Sequence, residues 1–173
     1  GVEMDREPGK ARAAIGLISH KPMVYPQLTV LENLRFFGRL YGVVDVAGRI
    51  EGLLEEAGLV RYRHDCAAVL SRGMIQRLAI ARSLVHDPSV LLADEPFTGL
   101  DVAAAKYLVT VMSDFVKQGR SVLMTTHNVG LSLDWCDRFA VLDGGRIVFD
   151  AAAREIDAAR FARDYLAYAR EET

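Results

Sequence analysis

The stretch Val90-Leu91-Leu92-Ala93-Asp94-Glu95-Pro96 decides the fold, because it is a short apolar run that ends in two carboxylates. Four apolar residues in succession are typical of a strand covered on both faces, as in a parallel sheet. Similar runs lie at residues 15–19, 121–124 and 139–142. Ligands of open α/β sheets bind outside the carboxyl ends of the strands, so the two carboxylates stand where a site is expected.

Helical patterns occupy most of the segment between residues 28 and 86. Thr29 stands three residues before Glu32, which is the spacing of a capping box. Two helices follow, each with an apolar stripe for the core and a glycine at its end, Gly42 and Gly58. The stripes are Val30, Leu34, Phe37 and Tyr41 for the first helix, and Ile50, Leu53, Leu54 and Ala57 for the second.

The remaining segments complete an alternation of strands and helices. A helix ended by Gly119 is predicted between the strands at 90 and 121. Gly144-Gly145 between two apolar runs predicts a two-residue hairpin, and the alanine-rich tail is predicted to be a terminal helix. The residues expected to face inward on the helix before Gly119 are Val102, Val109, Met112 and Phe115 or Val116.

Composition excludes several classes of protein. With 51% hydrophobic and 25% charged residues in 173, the chain can build the core of one domain, and global disorder is excluded. A net charge of -2 argues against a generally basic nucleic-acid binder. Two distant cysteines, Cys66 and Cys136, argue against a disulfide scaffold and favour a reducing cytosol. No apolar run approaches the roughly 20 residues of a membrane-spanning helix.

The turn Leu70-Ser71-Arg72-Gly73-Met74-Ile75-Gln76-Arg77 opens a helix that is predicted to run to about His86. Ser71 is a natural N-cap, and Gly73 permits close approach of another group to the backbone. The N–H groups at a helix N-terminus bind anions, so this turn can face a phosphate. An ordinary capped helix is the alternative interpretation.

The carboxylates at 94 and 95 and a histidine at 127 are the other candidate groups. Adjacent strand residues point in opposite directions, so Asp94 is expected to hold Mg²⁺ through water, while Glu95 orients or deprotonates an attacking water. His127 follows another strand and can donate a hydrogen bond to a phosphate oxygen or position a water. The alternatives are a solvated acidic turn and a structural histidine. His64 and His86 are interpreted as surface residues.

Four elements together carry a resemblance to the ATP-binding-cassette (ABC) ATPases. The turn at 70–77, Asp94-Glu95, Thr98-Gly99-Leu100-Asp101 and His127 stand in that family's order and rough spacing, and the likeness extends from Ile15 to about Asp150. It implies an α/β fold: a P-loop-NTPase-like (RecA-like) parallel sheet core, N-terminally incomplete, with an inserted α-helical subdomain. Residues 1–173 would then be a single partial ABC ATPase domain. Its parts would be 1–27 and 87–150 for the core, 28–86 for the helical subdomain and 151–173 for a C-terminal helix.

The resemblance also implies roles for individual residues, with ATP and Mg²⁺ as the cofactors. In this family a signature loop contacts the γ-phosphate of ATP held by the opposite subunit. The residues of this chain that match the loop are Ser71, Arg72, Gly73, Met74 and Gln76. Asp94 resembles the Walker B aspartate that serves the metal, Glu95 the catalytic glutamate, Asp101 a D-loop residue and His127 the switch histidine.

The chain departs from the family pattern at three places. Arg72 and Met74 replace the glycine and glutamine of the commonest signature, and His20 stands at the Q-loop position, where glutamine is usual. His20, together with the sequence at 31–42, resembles the heme-exporter ATPases of cytochrome c maturation. No G-x-x-x-x-G-K-[ST] motif occurs. We expect an N-terminally truncated or partly resolved domain, or alternatively a P-loop-free protein, and in either case a polypeptide that alone neither binds ATP tightly nor hydrolyses it.

The resemblance implies the ATPase subunit of an ABC transporter. Such a subunit works as a homo- or heterodimer with another ABC ATPase domain, without nucleic acid, and lies in the cytoplasm at the inner face of the membrane through a permease. The helix at residues 29–41 would form much of the groove for that permease, with Tyr25, Phe36, Phe37 and Tyr41 as candidate contacts, although core packing is the alternative for Phe37 and Tyr41. A soluble, non-transport ABC-type ATPase and a non-catalytic regulatory half are the other hypotheses.

Overall fold

A computed structural model of the chain describes residue 3, residues 5–127 and residues 136–157. The chain divides into two compact units, Gly1–Thr125 and Thr126–Thr173, and each is described by itself. The predicted grouping of residues 1–27 with 87–150 into one core stays a prediction.

A parallel three-stranded sheet is the centre of the first unit. Its strands are β1 (Ile15–Ile18), β2 (Val90–Asp94) and β3 (Ser121–Thr125), in the order β1-β2-β3. The register pairs Gly16 with Leu91 and Leu91 with Val122, so the three strands end at one edge. The prediction of a parallel sheet built from these apolar runs is therefore confirmed.

Helices cover one face of this sheet. They are α4 (Arg72–Leu84) and α5 (Val102–Lys117), while the short helix α1 (Pro8–Ala13) contacts β1 and leads into it. A Cβ on Gly16 would lie only 2.5 Å from the carbonyl oxygen of Ser83, so α4 reaches the backbone of β1 because residue 16 is glycine. Side chains such as Leu78, Leu91 and Leu108 are fully buried there, and each contributes roughly 1.5–3 kcal/mol.

The other face of the sheet differs from the prediction of strands buried on both sides. Leu17, Leu92 and Leu123 lie in one row across β1, β2 and β3. Leu123 is 67% exposed and Leu17 is 37% exposed. Within residues 5–125 no layer covers this row, so the continuous apolar runs do not correspond to two buried faces here.

Two further helices fill the segment between β1 and α4, namely α2 (Val30–Leu40) and α3 (Val46–Glu56). The predicted capping box is confirmed, because Thr29 Oγ1 accepts from Glu32 N at 3.1 Å and Glu32 Oε2 accepts from Thr29 N at 2.8 Å. Gly58 ends α3 with φ of +63°, as expected of a C-terminal glycine. The short 3-10 turns Val60–Tyr62 and Ala67–Val69 lead to α4.

The prediction of which α5 residues face inward is partly wrong. Val102 is 87% exposed, and Val109 and Val116 are also exposed, whereas Met112 and Phe115 are buried as expected. This helix is apolar on more than one side, so several 3.6-residue stripes fit its sequence equally well. The face that packs is formed by Ala104, Tyr107, Leu108, Val111, Met112 and Phe115.

The second unit contains an antiparallel hairpin of β4 (Arg138–Asp143) and β5 (Arg146–Ala152). Gly144 and Gly145 have φ of +51° and +77°, which confirms the predicted two-residue turn. The run at 139–142 is thus an alternately exposed hairpin strand, not a strand buried on both faces.

The predicted helix at 151–173 is wrong at its start. Residues 151–152 belong to β5, and Ala153–Glu155 is a 3-10 turn, because pairing with β4 continues to Ala152. The rest of the prediction, residues 158–173, lies outside the described residues. Among the helices of the described segments, none has both the length and the apolarity that crossing a bilayer requires.

Candidate functional site

The end of β2 presents the two predicted carboxylates at the carboxyl edge of the sheet. Asp94 is exposed, and its Oδ1 accepts a hydrogen bond from Thr125 Oγ1 at 2.7 Å. The Glu95 N–H donates to Thr125 O at 3.1 Å and faces Thr125 Oγ1 at 3.2 Å. The neighbouring strand therefore fixes the position of both acidic residues through a single threonine.

Glu95 has an unusual backbone conformation, with φ of +46°. A residue other than glycine in this region costs on the order of 1–3 kcal/mol and persists only where its surroundings enforce it. The turn after it does so, since Thr98 N donates to Glu95 O at 3.1 Å and Leu100 N donates to Phe97 O at 3.2 Å. The strand thus stops at Asp94, and Glu95 begins a tight loop at the site.

The predicted turn at the start of α4 is a capped helix N-terminus. Ser71 Oγ accepts from Met74 N at 3.3 Å, as expected of an N-cap. Ser71 and Arg72 are exposed, and Gly73 is buried. The first turn of α4 contains no acidic residue, so its dipole favours an anion supplied from elsewhere.

This turn and the loop at 98–101 contact one another closely. A Cβ on Gly73 would lie 1.8 Å from Asp101 Oδ2, and a Cβ on Gly99 would lie 2.0 Å from Arg72 Nη2. Gln76 Nε2 donates to Gly99 O at 3.2 Å. Asp101 Oδ1 also accepts from Ala104 N at 2.7 Å and so caps α5. The residues that resemble a signature loop and a D-loop are therefore neighbours within the first unit.

His20, at the Q-loop position, lies at the same place. It is exposed and lines a small cavity of about 20 Å³ that is also lined by Gln76, Pro96, Thr98 and Leu100. The structure thus brings His20, the start of α4 and the loop after Glu95 together at the carboxyl edge of the sheet. His127 is exposed, lies two residues after β3 and belongs to the second unit, so it is described apart from this cluster.

The carboxylates at the carboxyl edge of the sheet fit a Mg²⁺ ion that is bound together with a nucleotide, because they supply too few ligands for a metal site formed by protein alone. Within the described residues, no three or more His, Cys, Asp or Glu side chains are grouped as a metal site. Mg²⁺ commonly takes one or two carboxylates and completes its shell with water and substrate phosphates. Asp94, an exposed carboxylate oriented by the Thr125 hydroxyl, fits that requirement.

Two polar residues of α4 and the turn after it were not recognised from the sequence. Arg82 Nη2 donates to Leu17 O at 2.8 Å, and its guanidinium lies 5.1 Å from the ring centroid of Phe37. His86 Nε2 lies 3.0 Å from Ile15 O, and its ring stacks on Tyr41 with centroids 3.9 Å apart. No local pattern signals these contacts, because His86 lies in the turn after α4 ends at Leu84 and both residues bond to the distant strand β1.

His86 is therefore not the surface residue that was predicted. Burial lowers its pKa, and the hydrogen bond to the Ile15 carbonyl only partly opposes this effect. A neutral imidazole whose Nε2–H donates to that carbonyl fits both observations. Arg82 and His86 thereby connect β1, which leads to His20, with Phe37 of α2 and with Tyr41 just after that helix.

The outer side of α2 carries a groove of about 580 Å³. Buried Asn33 of α2 holds the preceding loop against this helix. The Asn33 Oδ1 accepts from Tyr25 N at 2.8 Å, and the Asn33 Nδ2 donates to Tyr25 O at 3.0 Å. Tyr25 in turn packs edge-on against Phe36, which is 41% exposed. The groove is lined by Leu28, Glu32, Arg35, Phe36, Arg39 and Leu40.

Comparisons with known proteins all point to one family. The family model described as ABC transporter matches residues 1–98. The Nod factor export ATP-binding protein I of Ralstonia nicotianae is 36% identical over 149 residues, which is 85% of this chain and 46% of that protein. The chain spans about half the length of several curated relatives that it matches.

Solved structures agree with this result. The ATP-binding subunit of an ABC transporter superposes with a TM-score of 0.84 at 26% identity, covering 96% of this chain and 74% of that one. The ATP-binding cassette MJ0796, described as a dimeric post-hydrolysis state bound to ADP and Pi, superposes with a TM-score of 0.73 at 26% identity. This superposition covers 88% of this chain and 68% of the MJ0796 chain.

Proposed function

The chain belongs to the ABC transporter family, and on that premise we propose that it forms part of an ATP-hydrolysing subunit that drives export through a membrane permease. The observation that carries this proposal is the cluster at the carboxyl edge of the sheet. There, Asp94 ends β2, Glu95 follows it directly, and His20 and the capped start of α4 border the loop that follows. Ligands of open α/β sheets bind at this edge.

The start of α4 is proposed to face the γ-phosphate of ATP held by a second subunit. Its first turn has an exposed N-cap and no acidic residue of its own, although the Asp101 carboxylate lies beside Gly73, and such a helix end favours a phosphate. The MJ0796 cassette is dimeric with ADP and Pi, which supports a dimer as the working form. Ser71, Arg72, Gly73, Met74 and Gln76 belong to this surface, and Asp101 packs against it.

Hydrolysis is proposed to depend on the two carboxylates. Glu95 takes a proton from a water molecule that attacks the γ-phosphorus, the bond from that phosphorus to the β–γ bridging oxygen breaks, and ADP and phosphate leave. When bound, Mg²⁺ neutralises charge on the phosphate oxygens. Asp94 is the residue that would hold it, and His127 is proposed to contact the γ-phosphate from the segment after β3.

A P-loop is needed to complete this chemistry. The 173 residues contain no G-x-x-x-x-G-K-[ST] motif, so they lack the cradling amides and the lysine for the β- and γ-phosphates. We propose that this polypeptide alone does not turn over ATP. Turnover experiments therefore use a P-loop-containing form, meaning this chain joined N-terminally to a segment that carries the motif, natural or fused.

The groove on α2 is proposed to receive the permease and so to place the subunit at the cytoplasmic face of a membrane. It offers exposed Phe36 and Leu40 beside the guanidinium groups of Arg35 and Arg39, which suits an amphipathic segment with an acidic residue. The related Ralstonia protein is named for Nod factor export. Heme export rests on the resemblance at His20 and residues 31–42, and the name of that relative does not support it.

Glu95→Gln in the P-loop-containing form tests the proposal. Because glutamine cannot accept the proton, we expect kcat to fall by about 10²–10⁴-fold while the Kd for ATP stays unchanged. Glu55→Gln, an exposed change on α3, is the matched control and should leave kcat as it is. Unaltered turnover in Glu95→Gln would contradict the assignment.

The same protein discriminates among the other functions. A wild-type P-loop-containing form without turnover favours a non-catalytic regulatory half. Co-purification with ribosomes or DNA instead of a membrane protein favours a soluble, non-transport ABC-type ATPase.

A further inference from the structure

Arg72 stands where the commonest signature has glycine, and its side chain has a specific place in the structure. Its guanidinium occupies the space that a side chain on Gly99 would fill, with Nη2 at 2.0 Å and Cζ at 2.8 Å from a Cβ built there. Gly99 has φ of +72°, which glycine adopts without strain. Any other residue at 99 would therefore meet both backbone strain and the Arg72 guanidinium.

The contact is reciprocal. Asp101, from the loop at 98–101, reaches back over Gly73, where a Cβ would lie 1.8 Å from Oδ2. Gln76 closes the arrangement by donating to Gly99 O at 3.2 Å. We call Arg72, Gly73, Gln76, Gly99 and Asp101 the clasp, because each segment places a side chain over a glycine of the other.

The clasp joins two helix N-termini. Arg72 begins α4, and Asp101 caps α5 through the Ala104 N–H at 2.7 Å. The described residues provide no ion-pair partner for Arg72, so packing over Gly99 is the contact that defines its position. The guanidinium is planar and weakly hydrated, whereas the lysine ammonium is compact and strongly hydrated, so lysine does not reproduce a close-packed arginine contact.

Resting on the function proposed above, we propose that Arg72 is a positioning residue that fixes the loop at 98–101 against the first turn of α4. The two segments then meet the partner's nucleotide as one rigid surface. Its effect on turnover comes through the position of the loop and not through its charge on a phosphate.

The first measurement needs no nucleotide and uses this chain as it is. Amide hydrogen exchange is compared for wild type, Arg72→Ala and Arg72→Lys, with Arg61→Ala as an exposed arginine control outside the clasp. We expect about fivefold faster exchange at the Leu100 and Ala104 amides in both Arg72 variants, and no change in β2 or in the control. Unchanged exchange at these amides, or an equal rise throughout the chain, overturns the proposal.

The second measurement uses the P-loop-containing form. We expect Arg72→Ala to lower kcat about fivefold while the Kd for ATP is unchanged, and Arg72→Lys to fail to restore it. Full rescue by lysine would mean that charge is what matters and overturns the positioning role, as does an unaltered kcat in Arg72→Ala. A wild-type protein without turnover contradicts the proposed function instead, and the exchange experiment still tests the clasp.

Discussion

At the scale of single residues, Gly73 is required by the space around it and not by its backbone conformation. Gly73 lies in the first turn of α4 under the Asp101 carboxylate, and its φ is not among the positive values. Asp101 has little freedom to yield, because its Oδ1 also caps α5. A side chain at 73 therefore disturbs two helix starts at once.

Gly73→Ala is expected to lower the free energy of unfolding by about 1 kcal/mol or more, since the added methyl group displaces a capping carboxylate. Gly52→Ala is the matched control, because a Cβ on Gly52 in α3 meets nothing within 4 Å. Alanine should raise stability there by about 0.5–1 kcal/mol. Urea denaturation of the two variants checks this, and the same sign for both would contradict the packing at Gly73.

His86 gives a prediction about pH. Burial lowers the pKa of the folded imidazole below its ordinary value of 6.5, while the groups around it are Arg82, Arg49, Asp87 and the Tyr41 ring. The unfolded chain then binds the proton more readily, so the contribution of His86 is complete above pH 6.5 and is lost as pH falls through the folded pKa. Stability should therefore rise as the pH increases toward 6.5, the ordinary pKa of the imidazole.

His86→Gln removes this titration and retains an amide donor for the Ile15 carbonyl. We expect the difference in unfolding free energy between pH 5.5 and 7.5 to shrink in this variant. His64→Gln, at an exposed position without the Tyr41 contact, is the comparison. Denaturation curves at the two pH values measure this difference in unfolding free energy. If the difference is the same in His86→Gln as in wild type, His86 is not the cause of the pH dependence.

At the scale of elements, the start of α2 is specified by its own sequence. The Thr29 and Glu32 side chains cap each other's backbone N–H groups, at 3.1 Å and 2.8 Å. Hydrogen bonding to Thr29 lowers the pKa of Glu32, in keeping with a carboxylate that accepts from the backbone. Such a cap stabilises a helix start that burial of Val30 and Leu34 alone does not define.

Thr29→Ala is expected to destabilise the protein by about 0.5–2 kcal/mol, because the Glu32 N–H loses its acceptor. Thr110→Ala, at an exposed position of α5, should change stability by less than about 0.5 kcal/mol. Thermal unfolding measures both. A double-mutant cycle with Glu32→Ala should show non-additivity, and strictly additive losses would show that the two caps act separately.

Features of this fold could be predicted from the sequence where neighbouring residues specify them. The capping box, the hairpin glycines and the parallel strands carry local signals, and they were predicted from a few adjacent residues. The stripe of α5 was not, since valines at 102, 109 and 116 repeat as regularly as the residues that pack. The clasp and the contacts of His86 join residues 23 to 71 positions apart, and no local pattern specifies such pairs.

At the scale of the whole molecule, the candidate site is one-sided. The first unit offers carboxylates, a capped helix N-terminus and His20 at one edge of the sheet. Its other sheet face, with Leu17, Leu92 and Leu123 in a row, lacks a covering layer within residues 5–125. The residues at the carboxyl edge can contact a polyphosphate from one side, and they contribute to hydrolysis only when another group holds the nucleotide in place.

The chain alone should therefore release phosphate from Mg-ATP no faster than buffer. ABC-type turnover requires the β- and γ-phosphates to be fixed in line with the attacking water, and the sequence contains no G-x-x-x-x-G-K-[ST] motif to supply the P-loop lysine and amides. A malachite-green assay with purified chain makes the measurement, and the P-loop-containing form with intact Glu95 is the positive control. Turnover by the chain alone that Glu95→Gln abolishes would mean that these residues hold ATP without a P-loop. The one-sided description of the site would then be wrong, while the role of Glu95 would stand.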